Sequence, residues 1–199
     1  QDQMTGNDIL ATVMLRDMDS IHNAIEQVDR GEFQHVVELL LHAQHIYILG
    51  VRSSSFLAGY LNFYFHLLFK NVIYVQNTAA GEIYEQMIHI GPGDVMVGIS
   101  FPRYSNMGIH AIQLAHDRGA DVVAITDSQL SPLYPLATAA LLVRCEALSY
   151  VDSLAAPLSL INALILAVGQ RKRDEVAQVF ADMEQVWSKY SIFGKAEDE

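Results

Sequence analysis

The sequence contains a single cysteine, Cys145, among its 199 residues. A disulfide within the chain needs two cysteines, so none can form, and the composition favours a reducing, cytoplasmic setting. Because Cys145 ends an apolar run, we interpret it as a small buried side chain rather than a reactive thiol. The first residues are polar and lack the basic flank and apolar core of a secretory signal peptide, which also favours a cytoplasmic protein.

Basic residues are scarce as well, with 12 Lys and Arg against 23 Asp and Glu, for a formal net charge of −11. This excess of acidic residues argues against an extended binding surface for a nucleic-acid backbone. Long apolar runs are also missing: the stretch 154–169 is interrupted by Pro157, Ser159 and Asn162 and is shorter than a membrane span. We therefore predict no membrane contact and a buried helix at 154–169. Since 51% of the residues are hydrophobic, the chain is expected to form one compact domain with a buried core.

Short apolar runs alternate with helical patterns along most of the chain. The predicted strands cover residues 45–49, 71–75, 95–100, 121–127 and 139–143. The predicted helices cover 54–69, 79–88, 105–118, 153–168 and 173–190, after two lead-in helices within 7–42 that break near 29–31. This alternation predicts an α/β fold, a three-layer αβα sandwich around a parallel sheet. Five strands favour the flavodoxin-like order 2-1-3-4-5.

Two serine-rich loops follow the first and third predicted strands. The first contains Gly50, Ser53, Ser54 and Ser55, and the second contains Ser100, Arg103, Tyr104 and Ser105. A helix start exposes about four unpaired backbone N–H groups and the positive end of the helix dipole, so hydroxyls there suit a bound anion. A serine at such a place is often only a helix cap. In the order 2-1-3-4-5, however, strands one and three are neighbours, and the chain reverses direction between them. Ligands of such sheets bind at the carboxyl ends of the strands at this switch point, where the two loops meet.

Arg103 offers the positive charge that a phosphate monoester requires. Its planar guanidinium can hold two phosphate oxygens at once, although a surface arginine is often solvated or weakly paired. Arg52 is a second, weaker candidate for contact with the phosphate. In the second loop, Pro102 stiffens the backbone, and Tyr104 could cover the face of a sugar. The sequence thus predicts a phosphate site formed by the two loops.

These loops resemble those of the sugar isomerase (SIS) domain, a phosphosugar-binding module. The first loop, Gly50-Val51-Arg52-Ser53-Ser54, is similar to that family's first loop. The second, Ser100-Phe101-Pro102-Arg103-Tyr104-Ser105, is similar to the form found in RpiR-type bacterial transcription regulators. The run 125–133 and the helical lead-in 31–42 are also typical of that branch. The resemblance covers about residues 32–190, and it implies binding of a sugar phosphate and assembly as a homodimer or homotetramer.

By this resemblance, residues 1–43 are a helical lead-in or connector, 44–191 the phosphosugar-binding domain and 192–199 a charged tail. RpiR-type regulators carry an amino-terminal helix-turn-helix domain, and residues 1–43 are too few and too acidic to form one. The resemblance therefore implies an effector-sensing domain that reaches DNA only through a domain missing from this sequence. No cofactor is implied. Of the eight histidines, His42 and His45 are three residues apart, but they straddle a predicted helix-to-strand junction and no third ligand has an obvious spacing, so we favour a structural role over a metal site.

A stand-alone aldose–ketose isomerase is the alternative, and it needs a base beside the sugar. In similar isomerases a glutamate near the start of the helix after strand five resembles that base, and Ala156 corresponds to it here. The sequence thus predicts a sensor rather than an enzyme. Asp152, Glu82 and Glu85 remain as other carboxylates, and Glu82 is also a candidate ligand contact across a dimer interface.

Overall fold

The computed structural model describes residues 8–76 and 81–191. Two helices precede the sheet, α1 at Ile9–Gln27 and α2 at Arg30–His42. Each begins after an aspartate whose side chain accepts a hydrogen bond from the first turn, which is a standard helix cap. Asp8 accepts from the backbone N–H of Ala11, and Asp29 accepts from that of Glu32. The predicted break between the helices therefore lies at a cap.

The sheet has five parallel strands in the order β2-β1-β3-β4-β5, which confirms the predicted topology. The strands are β1 at Ile46–Gly50, β2 at Val72–Val75, β3 at Val95–Ile99, β4 at Asp121–Thr126 and β5 at Ala139–Leu142. Each bound lies within about one residue of its prediction, because short β-branched runs flanked by polar residues mark buried strands well. In the register of β1 and β3, Gly50 lies opposite Ile99, so both strands end side by side.

Helices cover both faces of the sheet, as the alternating pattern predicts. They are α3 at Ser54–Leu68, α4 at Glu82–Gln86, α5 at Asn106–Asp117, α6 at Ala155–Arg171 and α7 at Arg173–Tyr190. One core cluster joins the sheet to α2, α3 and α6, and the other joins it to α4 and α5. Residues 79 and 80, predicted to begin α4, lie outside the described residues.

The chain between β5 and α6 forms a small antiparallel hairpin that the sequence does not predict. Its strands are β6 at Ala147–Leu148 and β7 at Val151–Asp152. At two residues each, they are too short to show periodicity. The run predicted as a buried helix does form α6, and none of the described helices is long and apolar enough to cross a membrane.

Candidate functional site

The two serine-rich loops lie side by side at the carboxyl end of the sheet, because β1 and β3 are parallel neighbours. Together they border a cavity of about 420 Å³ that we call the serine cavity. Its polar lining from the loops is Arg52, Ser53, Ser54, Ser100, Arg103 and Ser105. The strand order therefore brings together hydroxyls and guanidinium groups that are about 50 residues apart in the sequence.

Gly50 determines how closely α3 approaches the end of β1. A Cβ atom at this residue would lie 2.3 Å from the backbone oxygen of Ser54 and 2.9 Å from the Cβ of Ala58. The sequence suggests that glycine is needed here for a sharp turn, but Gly50 is not among the residues with positive φ. The structural reason is instead the close contact between strand and helix, which places Ser53 and Ser54 at the cavity.

The helix-capping alternative does not account for the loop serines. Ser53 and Ser105 stand immediately before α3 and α5, yet neither side chain makes a capping hydrogen bond within the described part of the chain. Ser54 is buried, with 5% of its surface exposed, and faces the cavity. Hydroxyl groups that do not serve the helix starts are suited to meeting an anion at the positive ends of two helices.

Arg52 and Arg103 both have a positive φ angle. Their φ angles are 59° and 67°, in the left-handed region that costs a residue with a side chain about 1 kcal/mol or more. Both side chains line the serine cavity. Arg52 is thus placed as well as Arg103 for an anion, although the sequence ranks it lower. The feature of the sequence that indicates this role for Arg52 is its position, two residues after the glycine that ends β1.

Three of the predicted site residues do not line the serine cavity. The Ser55 hydroxyl donates to the Arg52 carbonyl at 2.6 Å and so braces the first loop. The Tyr104 hydroxyl donates to Asp127 Oδ1. Glu82 stands at the start of α4, where its buried Oε2 has no hydrogen-bond partner among the described residues. The remaining predicted residues, Ser53, Ser54, Ser100, Arg103 and Ser105, all line the cavity.

Tyr104 ties the second loop to the end of β4. Burial raises the pKa of Tyr104 to about 12, and its hydrogen bond to Asp127 acts in the same direction. Close by, the Thr126 hydroxyl donates to the carbonyl of Ser100 at 2.7 Å. These bonds hold the backbone that carries Ser100 and Arg103. Tyr104 therefore stabilises a loop of the cavity without lining the cavity itself.

Tyr104→Phe is expected to lower the free energy of unfolding by about 1–2 kcal/mol at pH 7, because it removes a hydrogen bond to a carboxylate. Urea unfolding measures this loss. Wild type should then lose stability between roughly pH 10 and 12, since tyrosine ionises near 10 in the unfolded chain but only near 12 when folded. The variant has no hydroxyl to ionise at this position, so the free energies of unfolding of the two proteins should converge as the pH rises. Tyr150→Phe, at an 88% exposed position, is the control; equal stability of Tyr104→Phe and wild type at pH 7 would refute the bracing role.

The hairpin forms another side of the serine cavity. Asp152 of β7 lines the cavity, and its Oδ2 accepts a hydrogen bond from Arg103 Nη2 at 2.7 Å. The Arg103 side chain is 69% exposed and that of Asp152 is 27% exposed, so the pair is partly open to water. The cation predicted for phosphate is therefore in contact with a carboxylate from a segment that the sequence left unassigned.

Cys145 also lines the cavity, half-buried, and its thiol donates to the carbonyl of Ser153 at 3.2 Å. Burial raises the pKa of the Cys145 thiol to about 11, and the charges of Asp152 and Asp127 add to the effect. A thiol with so high a pKa is a poor nucleophile at neutral pH. This agrees with the interpretation of Cys145 as a packing residue.

A second cavity, of about 390 Å³, lies along the edge strand β5. Its lining includes the carboxylates of Asp29 and Glu32, and none of the described residues that line it is a lysine or an arginine. Glu32 Oε2 there accepts a hydrogen bond from the backbone N–H of Ala140 at 3.2 Å. An acidic lining repels a phosphate, so the serine cavity is the better anion site of the two.

A model of the SIS domain matches residues 39–167, well over half of the chain. The chain belongs to the SIS domain family. The match extends from α2 into α6 and so includes both serine loops and the hairpin, and it confirms the resemblance predicted from the loops. Ala156, which the resemblance places at the isomerase base, is 1% exposed and lies in the hydrophobic core.

Comparison with known proteins adds relatives that are regulators. An uncharacterized HTH-type transcriptional regulator of Caldanaerobacter subterraneus subsp. tengcongensis is 27% identical over 180 residues, which cover 87% of this chain and 62% of that protein. The SIS chain thus spans less than two thirds of the length of the curated relatives it matches.

Two solved structures share the fold. The sugar isomerase domain of the RpiR transcription factor from Sphaerobacter thermophilus has a TM-score of 0.85 and 20% identity, with coverage of 89% of this chain and 99% of that one. The Vibrio vulnificus NanR protein complexed with ManNAc-6P has a TM-score of 0.79 and 23% identity, with coverage of 93% and 70%. At these identities the likeness establishes a common fold.

Proposed function

We propose that this SIS chain is the effector-sensing domain of a transcriptional regulator and binds a sugar phosphate in the serine cavity. The observation that carries the proposal is the convergence of Arg103 with loop serines from two separate strands on one cavity. The regulator relatives support the wider role. In this proposal a helix-turn-helix domain outside the present sequence contacts DNA, since the chain itself carries a net charge of −11.

The cavity lining suits a phosphate group in particular. Two arginines provide positive charge, and each planar guanidinium can donate to two phosphate oxygens. Ser53 and Ser105 stand at the amino-terminal ends of α3 and α5, where the helix dipoles favour an anion. On a chain with an acidic net charge, these donors give the serine cavity a lining suited to an anion, unlike the acidic cavity along β5.

The site supports binding of a sugar phosphate without catalysis better than it supports isomerisation. An isomerase needs a carboxylate or histidine that is available to move a proton between adjacent carbons. Asp152 is a carboxylate that lines the cavity, and it is the observation that favours an isomerase. The resemblance, in contrast, places the isomerase base at Ala156, which has no ionisable group.

A homo-oligomer also belongs to the proposal. Several large apolar side chains on the surface of the single chain are more than half exposed: Leu10, Met14 and Met18 of α1, Phe56 and Phe63 of α3, and Leu166 of α6. In α3, Phe56 and Phe63 face away from the core, and among the described residues nothing covers most of their surface. Apolar surface of this kind commonly marks contact between subunits.

A sugar phosphate is expected to raise the melting temperature of the chain and to remain chemically unchanged. Binding to the native state alone at about 100 times Kd stabilises it by about 2.7 kcal/mol, or roughly 5–10 °C for a domain of this size. A thermal-shift panel of hexose 6-phosphates and pentose 5-phosphates, including N-acetylmannosamine 6-phosphate, measures this rise. The same sugars without phosphate are the matched controls and should give no shift.

Each positive sugar phosphate is then incubated with the protein and assayed for aldose–ketose conversion. Stabilisation without conversion supports the sensor. Conversion at an enzymatic rate would establish the isomerase instead, and Asp152→Asn should then abolish it. If no sugar phosphate stabilises the chain, the serine cavity is not a phosphosugar site.

A further inference from the structure

Ser153, the residue after β7, joins several parts of the molecule. Its hydroxyl donates to Asp17 Oδ1 of α1 at 2.6 Å and accepts from the backbone N–H of Ala155 at the start of α6 at 3.3 Å. Its backbone N–H donates to the carbonyl of Glu146 at 2.8 Å, and its carbonyl accepts from the Cys145 thiol. Ser153 therefore links α1, α6 and the segment that leads into the hairpin.

A continuous series of polar contacts runs through this residue from the serine cavity to α1. Arg103 of the second loop pairs with Asp152 at 2.7 Å, Asp152 is covalently followed by Ser153, and Ser153 binds Asp17 at 2.6 Å. Asp17 is 136 residues from Ser153 in the sequence. The cavity and the first helix are thus connected through two hydrogen bonds and one stretch of backbone.

We propose that a phosphate in the serine cavity competes with Asp152 for Arg103, and that α1 responds through Ser153 and Asp17. This inference rests on the proposed function and adds the route by which occupancy of the cavity reaches α1. The Arg103 guanidinium then faces two anions. The phosphate is the stronger partner because it carries more charge than a carboxylate and can accept two parallel hydrogen bonds, whereas Asp152 accepts one from Arg103. A bound phosphate also repels the carboxylate of Asp152.

The hairpin has the properties of an element that can move. Its two strands pair over only two residues each, Ala147 with Asp152 and Leu148 with Val151. Tyr150 at its turn is 88% exposed and Val151 is 50% exposed. Segments with so few buried contacts open at low free-energy cost. Release of Asp152 from Arg103 therefore shifts the hairpin, and Ser153 moves relative to Asp17.

Hydrogen–deuterium exchange of the α1 amides tests this route, with inorganic phosphate as the probe and chloride at equal ionic strength as the blank. Phosphate should make α1 exchange about three- to tenfold faster in wild type, the range expected for loss of one hydrogen bond. Asp17→Ala should already exchange fast without phosphate and should show no further response. Because coupling between two sites is reciprocal, this variant should bind phosphate at least as tightly as wild type does. Asp19→Ala, an exposed aspartate on the same helix, is the control and should respond like wild type.

Asp152→Asn tests the competition itself. Removing the rival carboxylate should tighten phosphate binding about two- to fivefold, the scale of a partly exposed ion pair, and should abolish the α1 response. Unchanged or weaker phosphate binding by this variant overturns the competition, and an α1 response that survives in Asp17→Ala overturns the route. Wild type that is stabilised by phosphate without any change in α1 refutes this inference alone. Wild type that neither inorganic phosphate nor any sugar phosphate of the thermal-shift panel stabilises refutes the proposed function and this inference with it.

Discussion

Arg103→Ala is expected to weaken binding of a sugar phosphate by about 10- to 100-fold. The change removes the charge-assisted hydrogen bonds of a guanidinium to phosphate, which contribute about 1.5–3 kcal/mol. Arg103→Lys keeps the charge but loses the planar fork, so its affinity should fall between those of the alanine variant and wild type. Titration calorimetry with a stabilising sugar phosphate measures all three affinities.

Arg171→Ala is a matched control for this experiment. Arg171 pairs with Glu38 at 2.6 Å on the surface and is 52% exposed, so its environment resembles that of Arg103. It does not line the serine cavity. Each exposed pair should contribute no more than about 1 kcal/mol to stability, so both variants should fold. If Arg103→Ala bound the sugar phosphate as tightly as Arg171→Ala, Arg103 would have no part in the site.

Gly50→Ala is expected to lower the free energy of unfolding by about 3 kcal/mol, near the top of the range for an overpacked core. The added Cβ would lie 2.3 Å from the backbone oxygen of Ser54 and 2.7 Å from its carbonyl carbon. Backbone atoms at a helix start cannot rotate away as a side-chain end can, so α3 must shift from β1. Because Ser53 and Ser54 shift with it, sugar phosphate binding should weaken as well.

Gly169→Ala is the matched control for Gly50→Ala. Gly169 lies in α6, and a Cβ there would be 3.7 Å from Leu68 Cδ2, an ordinary van der Waals distance. Alanine in a helix should stabilise the chain by about 0.5–1 kcal/mol. Urea unfolding compares the two variants with wild type. A Gly50→Ala protein as stable as wild type would show that the close approach of α3 to β1 is not required.

The sheet and much of the cavity lining could be predicted because their signals are local. Each strand is a short apolar run with polar residues or glycine beside it, and strand order follows from the number and alternation of elements. Once β1 and β3 are neighbours, Ser53, Ser54, Ser100, Arg103 and Ser105 meet without any further information. Their type and position relative to the strands were sufficient.

The remaining features depend on contacts between distant residues. Arg103 and Asp152 are 49 residues apart, and Asp152 lies in a two-residue strand without periodicity. The position of Tyr104 after a serine loop does not show that its hydroxyl binds Asp127, 23 residues away. Gly50 is visible as a glycine after a strand, but the reason for it is the distance to α3, which only the packed structure supplies.

The ³¹P NMR spectrum of a stabilising sugar phosphate, recorded over several hours with and without the protein, tests the central claim most directly. The spectrum reports the environment of the phosphate and the identity of the molecule that carries it. We expect the phosphate resonance to shift or broaden with wild type and to be perturbed less with Arg103→Ala at the same concentrations. The sugar phosphate should remain the same compound throughout. A second resonance from an isomerised sugar phosphate, or an unperturbed resonance with wild type, would contradict a cavity that binds a sugar phosphate without converting it.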